Sequence, residues 1–194
     1  MLKIKIIVGS SRQSRFGTQP AEWIASLTTN TKDVAYELID LKDLNLPMFD
    51  EAVSPMMNQY TNEQQISWGK VVGDSDGFIF VTPEYNHSIT AVLKNAIDFL
   101  YAEWKFKPAG IVSYGANPGG ARAVEHLKSI LTALGVYPMG GEQLTINNYW
   151  TQLNDQGKFQ PTAEQEKAAK SIIKDVTFWA GEMKTARANM AKNA

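Results

Sequence analysis

Short apolar runs alternate along this chain with segments whose apolar residues recur every three or four positions. The runs IKIIV (4–8), VAYELIDL (34–41), GFIFVT (77–82) and AGIVSYG (109–115) read as strands, and GVYPM with QLTI (135–146) as a fifth strand region. The first of these is β-branched and shows no polar alternation, which is the pattern of a strand buried on both faces and therefore parallel to its neighbours. Between them the spacing predicts helices. Residues 17–28 tolerate Pro20 in a first turn. Residues 61–74 open on a Thr61/Gln64 capping box. Residues 89–101 place Val92, Leu93, Ala96, Ile97 and Leu100 on one face, and 121–134 place Val124, Leu127, Leu131 and Leu134 on another. A final helix over 161–184 begins with a Thr162/Gln165 capping box and carries the stripe Ile172, Val176, Trp179, Met183; the last residues, 186–194, are expected to fray. Residues 42–60 and 147–160 lack periodicity and read as loops.

Strand and helix alternating in this order predict a three-layer α/β domain spanning 1–194, with a five-stranded parallel sheet in the order 2-1-3-4-5 and helices on both faces. Ligands of such sheets bind at the carboxyl ends of the strands, near the point where strand order reverses. Three unusual loops fall there: GSSRQSRFG (9–17), PEYNHS (83–88) and SYGANPGG (113–120).

The first loop has the makings of an anion site. Gly9 permits a tight turn, Gly17 a close backbone approach, and backbone N–H groups converge just ahead of a helix N-terminus. Ser10, Ser11 and Ser14 add hydroxyls, and Arg12 and Arg15 add planar cationic donors. Neither G-x-x-x-x-G-K-[ST] nor G-x-G-x-x-G occurs, so a monophosphate with a bulky remainder fits better than a nucleoside triphosphate or a dinucleotide. In the second loop Thr82 is held extended by Pro83, and the peptide groups of Glu84, Tyr85 and Asn86 either edge a flat ring or form only a rigid turn; Ser88 is placed to cap the next helix. In the third, Ser113 and Tyr114 offer hydrogen bonds, and Gly115, Gly119 and Gly120 either leave room for a planar ligand or make a plain turn.

Composition narrows the classes. Nineteen basic and twenty acidic side chains give a net charge of -1 without a basic run, against nucleic-acid binding. No cysteine occurs, which removes disulfides, thiolate metal sites and cysteine nucleophiles and favours a cytoplasmic setting. No apolar stretch is long enough to cross a membrane, MLKIKIIVGSS is too short and too charged for a secretory signal, no metal-ligand spacing is present, and no G-x-S-x-G elbow marks a hydrolase. The two histidines are weak candidates: His87 lies beside the expected pocket and His126 mid-helix on the surface. Trp23, Trp68 and Trp179 are expected in the core, and Trp104 at a substrate pocket or subunit interface.

G-S-x-R after the first strand, P-E-Y-N followed by S-I-T-A-V-L-K-N-A-I-D-F-L, and S-Y-G ahead of a glycine pair together resemble the NADPH-dependent FMN reductase family of flavodoxin-like proteins, over roughly residues 2–140. The resemblance implies a flavodoxin-like fold, bound FMN, NADPH as electron donor, a small-molecule electron acceptor such as a flavin or quinone, and a homodimer or homotetramer. By position it implies that Ser10, Arg12, Arg15, Phe16 and Gly17 hold the FMN phosphate, that Pro83, Glu84, Tyr85 and Asn86 line the isoalloxazine, and that Ser113, Tyr114 and Gly115 meet its other edge with Gly119 and Gly120 nearby. Gly17 stands where many relatives carry Ser or Asn, which removes one side-chain donor to phosphate. The flavin would carry the redox chemistry, with no side-chain acid or base required and one open face serving both substrates in turn. The alternatives are an electron carrier of the flavodoxin type, disfavoured by the near-neutral charge, and a non-enzymatic flavin-binding regulatory protein.

Overall fold

The structure, a computed structural model, describes residues 1–29, 31–141 and 143–192. Strands β1 (Leu2–Val8), β2 (Val34–Asp40), β3 (Gly77–Pro83), β4 (Pro108–Gly115), β5 (Tyr137–Pro138) and β6 (Leu144–Asn147) form one sheet in the order β2-β1-β3-β4-β5, with β6 also paired to β4. Every pairing is parallel. The expected fifth strand is therefore two short pieces on one edge: β5 pairs with Pro108 and Ala109 at the start of β4, and β6 with Val112–Gly115 at its end. Residue 142 of that region lies outside the described residues.

Helices α1 (Thr18–Ser26), α2 (Leu41–Leu44), α3 (Glu63–Gly73), α4 (Ala91–Asp98), α5 (Ala121–Ala133) and α6 (Ala163–Lys192) complete the fold. The central strands are apolar on both faces because both are covered. Ile4, Ile6, Val8, Ile79, Val81 and Val112 pack with α1 and α6, while Ile7, Phe78, Phe80, Ala109 and Ile111 pack with α3, α4 and α5. Successive side chains thus enter opposite cores, as the period of two requires.

Several local expectations change. Asn62, not Thr61, caps α3: its side chain accepts from Gln64 N–H and Gln65 N–H at 2.8 and 3.2 Å. Thr90, not Ser88, caps α4. Within 42–60 the chain forms α2 and a 3-10 turn, Pro55–Met57. The Thr162/Gln165 box closes in both directions, at 2.9 and 3.2 Å. The helix it starts does not fray at 186 but runs to Lys192; residues 193 and 194 lie outside the described residues. Its buried stripe continues from Val176 through Ala180, so Trp179 is 45% exposed rather than core. Trp68 is buried and Trp23 partly so. Trp104 is fully buried, packs on Phe78 and Trp68, and donates its indole N–H to Ile97 O, so it lines neither a pocket nor a surface.

Candidate cofactor cleft

The three loops converge at the carboxyl end of the sheet. Gly9 N–H donates to Val81 O at 2.8 Å, and its carbonyl accepts from the capping hydroxyl of Thr90 at 2.6 Å, tying the first loop to β3 and α4. Glu84 N–H donates to Tyr114 O at 3.2 Å, tying the second to the third. Between them lies a cleft of about 260 Å³. Arg12, Ser14, Arg15 and Phe16 line it from the first loop, Pro83, Glu84 and Tyr85 from the second, Tyr114, Gly115 and Ala116 from the third, and Tyr149 closes it.

From Ser10 to Thr18 most backbone N–H groups have no protein acceptor among the described residues; the exceptions are a turn at Gln13–Ser14 and Gly17 N–H, which lies close to the Tyr114 hydroxyl. Gly17 caps α1 without a side-chain hydrogen bond, and the first turn holds no acidic residue, so the positive end of the helix dipole is uncompensated. Orphan amides in succession at such an end form a concave anion receptor. The arginines divide their roles. Arg15 is ion-paired with Asp40, both side chains only 11% exposed, so its charge is already neutralised; its Nε is buried without a partner among the described residues. Arg12 has no carboxylate partner among the described residues, and its pKa is raised by the neighbouring Tyr85 hydroxyl. Ser10 is buried, its Oγ 3.4 Å from Tyr85 Oη. Phe16 is buried beneath the loop, stacked on Tyr149 with ring centroids 4.5 Å apart.

The second loop is a two-residue hairpin. Tyr85 and Ser88 exchange both backbone hydrogen bonds, at 2.9 and 3.0 Å, and Asn86 and His87 take positive φ angles of 50° and 66°. Asn86 does not line the cleft. The Glu84 carboxylate accepts from the N–H groups of Arg122 and Ala123 at the start of α5 and from Arg122 Nε at 2.6 Å. Those interactions outweigh burial, and the Glu84 pKa is lowered. Ser88 Oγ pairs with His126 Nδ1 at 2.8 Å.

In the third loop Ser113 is fully buried and donates to Gly119 O at 2.8 Å, while Gly120, at φ +90°, packs against Ser113. These three residues brace the loop and do not line the cleft; Tyr114 and Gly115 do. The Tyr114 hydroxyl is buried without a well-formed hydrogen bond among the described residues, although Ser10 and Gly17 lie close. Burial is the main reason its pKa is raised. A buried hydroxyl without a well-formed hydrogen bond, beside a run of largely unpaired amides, is a costly arrangement for a ligand-free protein, and it fits a bound phosphoryl group.

Two contributors escaped sequence reasoning. Tyr149 sits on the 3-10 turn Tyr149–Gln152 of a segment without periodicity, and Asp40, opposite Val8 at the end of β2, pairs with Arg15 of the first loop. No cluster of three metal-ligating side chains occurs among the described residues, and none of their helices is long and apolar enough to cross a membrane.

The chain is 42% identical over 133 residues to an NAD(P)H-dependent FMN reductase of Schizosaccharomyces pombe, covering 66% of each chain. It is 33% identical to one of Saccharomyces cerevisiae, covering 75% of this chain and 81% of that one. It is 28% identical to a 2-hydroxy-1,4-benzoquinone reductase of a Burkholderia species, covering 80% and 84%. Among solved structures it shares its fold with FerB, a flavoenzyme NAD(P)H:(acceptor) oxidoreductase of Paracoccus denitrificans, at a TM-score of 0.70 and 22% identity over 95% of this chain and 98% of that one. The profile of the NADPH-dependent FMN reductases matches residues 2–151, and the chain belongs to that family.

Proposed function

We propose that this chain is an FMN-dependent NAD(P)H oxidoreductase that passes electrons from NADPH to flavins, quinones or similar small acceptors. The observation that carries the reading is the run of largely unpaired amides between Ser10 and Thr18 at the uncapped start of α1, with the buried Tyr114 hydroxyl beside it. Bound FMN supplies reversible two-electron chemistry. The chain's own residues do the positioning. The first-loop amides and Arg12 hold the phosphate, the Arg15–Asp40 pair fixes the loop against β2, and Phe16 with Tyr149 supports it from below. Pro83, Glu84 and Tyr85 face one side of the cleft, and Tyr114 and Gly115 the other.

The same proposal includes a homodimer or homotetramer in the cytoplasm. Met48, Val53, Met56 and Met57, between 42% and 73% exposed on one segment after β2, support self-association, and a composition without cysteine supports a reducing compartment. Light scattering should give two or four times the chain mass; a monomer at micromolar concentration overturns the assembly.

The functional test is an absorption spectrum of the protein loaded with FMN, before and after NADPH under anaerobic conditions. Flavin bands that persist through desalting, bleach with NADPH and return on adding a quinone are expected. Bands that bleach with dithionite but not with NADPH or NADH contradict the reductase reading, and a colourless protein after loading contradicts cofactor binding.

A further inference from the structure

We propose that a second hollow, beside the cleft and bounded by His87, Arg122 and His126, receives the 2′-phosphate of NADPH. The inference rests on the reductase reading above. The hollow has a volume of about 460 Å³, and Ala121 and Glu125 complete its walls. Cleft and hollow are linked through one residue: Glu84 lines the cleft, and its carboxylate holds Arg122, which lines the hollow. A ligand reaching from one to the other would lie along the hairpin Tyr85–Ser88.

The charges are arranged asymmetrically. The Glu84 side chain is 7% exposed and its carboxylate is consumed by Arg122 and the start of α5, whereas the Arg122 side chain is 45% exposed. The anion of the pair faces inward and the cation outward, so guanidinium N–H groups not used by Glu84 remain for a ligand. Glu125, the carboxylate lining the hollow, is paired with Lys128 at 2.8 Å, and its pKa is lowered chiefly by that contact. The hairpin fixes the backbone of His87, and a side-chain contact anchors the ring of His126. His87 sits on the hairpin closed by Tyr85 and Ser88, and Ser88 Oγ lies 2.8 Å from His126 Nδ1. With the hydroxyl donating to Nδ1, the ring presents Nε2–H as a donor.

One arginine and two imidazoles around an open hollow suit a phosphomonoester, which brings acceptor oxygens and a dianionic charge. The flavin phosphate is already accounted for by the first loop. A second anion receptor on the same rim fits the other phosphate-bearing partner of the reaction, and the group that distinguishes NADPH from NADH is a phosphomonoester.

Isothermal calorimetry with adenosine 2′,5′-bisphosphate, AMP and ADP tests this on the wild-type chain and on a His87→Ala/His126→Ala variant. Neither histidine lines the cleft, so FMN affinity in the variant serves as the folding control. Wild type should bind the 2′,5′-bisphosphate about tenfold or more tightly than AMP or ADP, the scale of one charged contact. The variant should lose that preference, and its NADPH-over-NADH ratio in kcat/KM should fall in parallel at unchanged FMN affinity. Equal binding of ADP and the 2′,5′-bisphosphate, or a preference that survives in the variant, overturns the inference and leaves the flavin reading standing. A wild-type chain that takes up no FMN overturns both.

Discussion

Replacing Gly17 by alanine sets the cofactor loop against the wall of its own cleft. A Cβ at this position falls 2.5 Å from Tyr114 Oη and 3.2 Å from Cε1 and Cζ of the same ring. The backbone itself is ordinary, at φ -56° and ψ -22°, so the conflict is entirely with Tyr114. That ring is buried and meets Phe16 and Tyr149 edge-on, with centroids 5.2 and 5.8 Å apart, so it has little room to retreat. Overpacking of this kind costs about 1–3 kcal/mol, against which the alanine recovers about 0.4–1 kcal/mol by restricting the unfolded chain. A net loss of about 1–2 kcal/mol corresponds to a Tm lowered by about 2–8 °C for a chain of this size. Tyr114→Phe removes the atom nearest the clash together with an unpartnered buried hydroxyl, so alone it should be neutral or stabilising without ligand. The double variant should then recover much of what Gly17→Ala loses, a coupling of about 1 kcal/mol. Thermal melts of the four proteins, with and without FMN, measure all of this. Because the hydroxyl is assigned to the ligand, Tyr114→Phe should also weaken FMN binding, by about tenfold. Additive effects in the cycle, or a Tyr114→Phe variant that is less stable without FMN yet binds it as wild type does, would refute the reasoning.

Other consequences follow from single contacts. Lys107 is buried beyond the C-terminus of α3, donating to Val72 O and Gly73 O at 2.6 and 3.1 Å, and burial lowers its pKa to about 7 from an ordinary 10.5. The unfolded chain binds the proton more tightly, so this residue should make stability rise with pH between those two values, by on the order of 5 kcal/mol, with the charged form's full cost remaining below the lower one. Denaturant titrations across that range should show the rise in wild type and a much flatter profile in Lys107→Met. Asp40→Ala strands the Arg15 guanidinium and removes the α2 cap, and urea unfolding should register a loss of about 3 kcal/mol or more, with weaker FMN binding. Tyr149→Ala removes the stack on Phe16, which is worth about 0.5–1.5 kcal/mol beyond area burial; fluorescence titration should show reduced FMN affinity.

The parts of the fold legible in the sequence are those with a local cause. β1, β3 and β4 betray themselves because both of their faces are covered, so polar residues are largely excluded from them. The Thr162/Gln165 box is legible because both partners lie within one turn. Caps shift by one or two residues where neighbours compete: Asn62 displaces Thr61, and Thr90 displaces Ser88 because its hydroxyl also reaches Gly9 O in the first loop. The stripe on α6 drifts from Trp179 to Ala180 because the sheet beneath, not the helical period, decides which flank is covered. At the site, loop positions are visible from topology, but division of labour is not. Arg15 lines the cleft, but its pairing with Asp40 at the end of the neighbouring strand is not visible in the chain order, nor is the buried contact by which Ser113 braces Gly119. Tyr149 is illegible for the same reason: its partner Phe16 is remote in the chain.

The claim on which the account depends is that the loop between β1 and α1 grips the phosphate of FMN, and the most direct measurement compares FMN with riboflavin, which differ only in that group. Fluorescence titration of the cofactor-free protein should give an affinity for FMN at least about a hundredfold above that for riboflavin, the scale of two or more charge-assisted hydrogen bonds. Affinities within a few-fold of one another would mean that the largely unpaired amides between Ser10 and Thr18 do not hold a phosphate, and would contradict the account.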